Sequence, residues 1–89
     1  MKMMSANEQI EAACREAHEK FLKLDTEVYK DIIDKLQFVI VSYNADKNPI
    51  GLYHIGEIAL DLLKKHKAQK TRQVSKELID TLEKALATK

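Results

Sequence analysis

Cys14 and His18 stand four residues apart in a stretch that reads as helix, so they share a face. A thiol beside an imidazole begins either a nucleophilic pair or a metal site. The surrounding sequence completes neither. A structural zinc takes about four ligands, and no CxxC or HExxH is present. The missing ligands would have to come from His54, His66 or scattered carboxylates. A nucleophilic pair needs an orienting third group and an oxyanion site, and the first helix offers neither. Cys14 falls on the apolar side, which predicts a small, inert, buried thiol. No catalytic residue, metal or cofactor is expected.

The other chemistry-bearing residues are equally scattered. His54 falls on a polar side near Glu57 and Asp61. His66 falls on a buried face near a helix end, where a cation suits the dipole. The segment GLYHIG has two glycines but lacks the preceding strand and the lysine of a phosphate loop. The paired acids of DIID sit on a solvent face, where hydrated charge is the ordinary explanation.

One charge run carries more information. From Lys64 to Lys76 the chain reads KKHKAQKTRQVSK, with Lys64, Lys65, Lys67, Lys70, Arg72 and Lys76 and no acid. Residues 1–48 hold seven basic and nine acidic side chains, and residues 49–89 hold eight and five. The two parts therefore carry −2 and +3, and a helix–turn–helix could present the basic run to a polyanion. Against that, lysines at a helix C-terminus are already favoured by the dipole. Glu77, Asp80 and Glu83 follow closely, and no aromatic residue interleaves the run. Nucleic-acid binding is the second choice.

The elements that position these residues are helices. Two glycines and one proline leave few breakers in 89 residues. Ser5 with Glu8 forms a capping box, and Ile10, Ala13, Cys14, Ala17, Phe21 and Leu24 share one face, predicting a helix over 6–24. Asp25 and Thr26 read as a turn capping a second helix over 27–45. Its inner face would hold Val28, Tyr29, Ile32, Ile33, Leu36, Val39, Ile40 and Tyr43, within an arc of about 140°. Asn48 then Pro49 suits an N-cap followed by a first helical position, giving a third helix over 49–67 with Leu52, Ile55, Ala59, Leu62, Leu63 and His66 inward. Gly51 and Gly56 each cost about 1 kcal/mol against alanine, which points to close backbone packing or a ragged helix start. Ser75 caps a last helix over 76–87, with Val74 stapled onto Ile79. Its inner face would hold Leu78, Ile79, Leu82, Ala85 and Leu86.

These elements predict an all-α protein, a compact bundle of four helices in one domain over residues 1–89. The rival is an α+β fold with a hairpin at 37–43 and 50–55, because QFVIVSY is rich in β-branched residues and NADKNP is rich in turn formers.

The helical reading leaves a residue of apolar surface. Phe38 and Val41 fall off the inner stripe of the second helix, and Tyr53 and Leu60 off that of the third. Exposing a large apolar side chain forfeits roughly 1.5–3 kcal/mol of burial. Two helices that each do so predict a surface that meets a protein partner or a second copy of the chain. The expected function is thus non-catalytic association, as a self-associating unit or a partner-binding adaptor.

Bulk properties fit that class. Net charge is +1, which argues against general attraction to polyanions. A lone cysteine forms no internal disulfide, and a reducing cytoplasm is the expected setting. The opening MKMMSANEQ lacks the apolar core of a secretory signal. The longest apolar run is far short of the roughly 20 residues that span a bilayer, so no membrane association is expected.

Overall fold

The computed structural model describes residues 5–87. Residues 1–4 and 88–89, which the expected 1–89 domain and the reading of the N-terminus include, lie outside the described part. The first helix, α1, spans Ala6–Leu24. It begins where the capping box requires: Glu8 N–H donates to Ser5 Oγ at 3.2 Å and Ser5 N–H to Glu8 Oε1 at 3.4 Å. These bonds satisfy amides that a helix start otherwise leaves open.

The second helix, α2, spans Lys30–Asp46 and starts three residues later than expected. Asp25 caps as expected: its carboxylate accepts from Glu27 N–H at 2.9 Å and Val28 N–H at 3.1 Å, and its carbonyl accepts from Tyr29 N–H at 3.1 Å. The next bond then shortens, with Lys30 N–H donating to Glu27 O at 3.4 Å, so the ladder breaks and regular helix begins only at Lys30. Val28, expected inside, sits on the turn and is 71% exposed. At its far end α2 stops at Lys47, which adopts a left-handed φ of 60° and donates its N–H to Tyr43 O.

The third helix, α3, spans Ile50–Gln69. Pro49 is its cap residue rather than its first turn, while Asn48 still caps by accepting from Ile50 N–H at 3.1 Å. The helix runs two residues past the expected Lys67, through the good helix formers Ala68 and Gln69. A 3-10 turn at Thr71–Gln73 leads to the last helix, α4, over Lys76–Ala87. Ser75 Oγ accepts from Leu78 N–H at 3.2 Å, and Val74 before it is fully buried.

The architecture is an all-α bundle of four helices. The hairpin alternative fails: 37–43 lies inside α2, 50–55 inside α3, and no strand occurs among the described residues. The reason is periodicity. A strand would put Leu36, Phe38 and Ile40 on one face, yet Leu36 and Ile40 are buried while Phe38 is 73% exposed.

α1 and α3 form the inner diagonal, each packed against the other and against both α2 and α4, with α3 also meeting the 3-10 turn, while α2 and α4 occupy far corners. Phe21, Leu36, Leu52, Leu63 and Leu82 are wholly buried between the layers. Gly56 lets α3 approach its neighbours, since a Cβ there would stand 3.2 Å from Leu86 Cδ2 and 3.5 Å from Cys14 Sγ. Gly51 does the same toward α2, where a Cβ would lie 3.1 Å from Val39 Cγ1. Close packing, not a ragged start, accounts for both glycines. No helix among the described residues is long and apolar enough to cross a membrane.

Candidate interaction surface

The cysteine and histidines do not converge. Cys14 is fully buried, and its Sγ is 3.5 Å from the Leu52 carbonyl, to which the thiol donates. Burial, and then the charge of Glu11, push this thiol up to about 12. A thiolate is the reactive form, so the site resists nucleophilic use. His18 is half-buried, and its Nε2 is enclosed without a hydrogen-bond partner. His54 is exposed on α3. Among the described residues no three His, Cys, Asp or Glu side chains are grouped to hold a metal ion.

His66 has a structural role that the sequence did not disclose. Its Nδ1 lies 2.7 Å from Tyr29 Oη and its Nε2 lies 2.7 Å from Gln73 Oε1. An amide oxygen only accepts, so Nε2 carries the proton and Nδ1 accepts from the Tyr29 hydroxyl. The Tyr29 ring also meets Phe21 at 4.7 Å between centroids. One imidazole thereby ties the turn before α2 to the end of α3 and to the 3-10 turn.

The basic segment is divided by the fold. Lys64 pairs with Glu83 at 3.3 Å and Lys65 with Asp61 at 3.0 Å. Lys67 Nζ donates to Val74 O at 2.8 Å and Thr71 O at 3.4 Å, closing the α3–α4 connection. Lys70, Arg72 and Lys76 are exposed around the turn. Three cations, with acids of α4 close by, make a weaker polyanion footprint than six in a row.

The apolar candidates separate into two pairs. Phe38 and Val41 are 73% and 61% exposed, on the side of α2 that faces away from the core. Tyr53, by contrast, is only 8% exposed, and Leu60 is half-buried against the core. The expected exposure of these two is corrected by the central position of α3, which is covered on more sides than its own periodicity reveals. Tyr53 and Leu60 therefore leave the candidate surface.

Two open grooves flank the outer ridge of α2. On the α3 side, a groove of about 530 Å³ is lined by Phe38, Val39, Gly51, His54 and Ile55, with Asp34 and Lys35 at its edge. On the α1 side, one of about 330 Å³ is lined by Arg15, His18, Glu19, Gln37, Ile40, Val41 and Asn44. Between them, residues 36–45 contain no Asp, Glu, Lys or Arg. Charged residues make up 33% of the chain, so an outward helix face without any is distinctive. Depletion of charge around an exposed aromatic is the composition of an interface core. Val39 packs directly against Gly51 along this groove.

No protein-family model, curated protein or solved structure matches the chain.

Proposed function

We propose that the chain works without catalysis, as a protein-association module whose contact surface is the outer face of α2 around Phe38 and Val41. One observation carries this: two large apolar side chains stand exposed within an uncharged stretch of helix, residues 36–45, whose inner side alone already supplies the core. Burying Phe38 against a partner would gain roughly 1.5–3 kcal/mol. The buried free thiol and the lack of a second cysteine suit a reducing cytoplasm. The competing reading, a nucleic-acid accessory protein using residues 64–76, requires steeply salt-dependent binding and draws chiefly on Lys70, Arg72 and Lys76, because Lys64 and Lys65, though exposed, are held in ion pairs.

The test is a photo-crosslinking amino acid placed in turn at positions 38, 41 and 77 of the full chain, followed by irradiation in cells. A protein adduct at 38 and 41 but not at the exposed Glu77 position of α4 supports the surface. Equal labelling at all three, or none at 38, removes it.

A further inference from the structure

We infer that the occupant of this surface is a second copy of the chain, docked with its α2 antiparallel to the first. The inference rests on the association reading above and names its partner. Along the outer face of α2, Asp31, Asp34, Phe38, Val41 and Ala45 recur at alternating steps of three and four. That spacing forms a seam which a second helix can follow. All five are exposed.

The seam complements itself when reversed. A two-fold axis between positions 39 and 40 sets Phe38 against Val41 of the second copy, and Val41 against its Phe38. A large ring thus meets a smaller side chain on both sides of the axis, as a two-fold contact requires. The same axis puts Asp34 opposite Ala45, and Asp31 beyond the end of the second copy's helix at Asp46. No like charges meet. A parallel alignment would instead face Asp31 and Asp34 with their own copies, which is destabilising. Charge pattern therefore selects the antiparallel sense. α2 has 17 residues, about 26 Å of helix, so the contact belongs to the small, reversible end of interfaces.

Sedimentation equilibrium of the full chain over a wide concentration range tests this, with thermal melts confirming that each variant is folded. The wild-type chain should form a reversible dimer. Phe38→Ser, present twice per dimer, should weaken it about a hundredfold or more. Ala45→Glu places an acid opposite Asp34 at two sites and should weaken it about tenfold. The D34K/A45E double variant puts opposite charges across the same sites and should restore dimerisation. A chain that stays monomeric to millimolar concentration overturns the inference, as does a dimer that ignores both Phe38→Ser and the charge exchange. If a monomeric chain still crosslinks through position 38 to a different protein, self-pairing falls and the association reading stands. If it crosslinks to nothing, both fall.

Discussion

The buried thiol makes a quantitative prediction about alkaline stability. Cys14 is wholly inaccessible, and its folded form titrates near 12 against an ordinary 9.0, chiefly because burial disfavours the thiolate and secondarily because of Glu11. The unfolded chain releases the proton first as pH rises. Between those two values the native state holds one more proton than the unfolded state, so stability falls with pH. The contribution is complete below pH 9 and is lost as pH climbs through 12. Three units correspond to about 4 kcal/mol over the whole window, and about 2–3 kcal/mol of that falls between pH 8 and pH 11. Tyr29, raised by burial and by Asp25, adds a loss of the same sign. A Cys14→Ala chain keeps Tyr29, so subtracting its urea-denaturation curve from that of wild type isolates the thiol. The difference between the two stabilities should shrink or reverse by about 2–3 kcal/mol from pH 8 to pH 11. At pH 8 the native thiol should also react with an aromatic disulfide reagent only as fast as the chain opens. A pH-independent difference between the two chains, or labelling within seconds under native conditions, would refute the assignment of Cys14 to the dry core.

Three further outcomes follow from the geometry. Tyr29→Phe removes the hydroxyl that serves His66 and should cost about 1 kcal/mol, seen as a drop of several degrees in Tm, while the His66 Nδ1 resonance shifts in NMR. Ser5→Ala removes the hydroxyl that accepts from Glu8 N–H, leaving the backbone half of the capping box, and should cost about 1 kcal/mol, with faster amide exchange confined to the first turn of α1. Lys47→Gly relieves a left-handed backbone at the end of α2, a conformation costing about 1–2 kcal/mol for a side-chain-bearing residue. It also loses the Lys47 ammonium 5.4 Å from the Tyr43 ring, worth about 0.5–1 kcal/mol, so a net gain of a few degrees in Tm is expected. A lower Tm would mean that the ring contact outweighs the backbone strain.

How far the fold could be read from sequence depended on whether the deciding interaction was local. The start of α1 was legible because Ser5 and Glu8 form a closed local exchange. The start of α4 was legible for the same reason at Ser75. The start of α2 was not, because Asp25 caps the segment as its type suggests, yet the ladder breaks where Lys30 N–H bonds Glu27 O, a step no residue type in the segment announces. Phe38 and Val41 were legible as outward because α2 is covered on one side alone. Tyr53 and Leu60 were misjudged because α3 packs against three other helices, and a helix's own periodicity does not count its neighbours. Gly51 and Gly56 signalled close approach, yet which chain segment approached, Val39 in one case and Leu86 in the other, is a tertiary fact.

The segment LQFVIVSY remains the least locally consistent part of the chain, and its inconsistency has a direction. Phenylalanine and β-branched valine are mediocre helix formers, costing about 0.5 kcal/mol each against alanine, lysine or glutamate. At Leu36 and Ile40 burial offsets such costs, since both side chains lie in the core. At Phe38 and Val41 nothing within the bundle does so. A helix that needed only its inner face would carry long polar residues at those positions, as the N-terminal half of the same helix does with Asp31, Asp34 and Lys35. Departures from local consistency concentrate where a requirement outside the fold is being met. Here they fall on one contiguous, uncharged, outward face, and that concentration, rather than the exposure of any one side chain, is the physical reason for placing the working surface on α2.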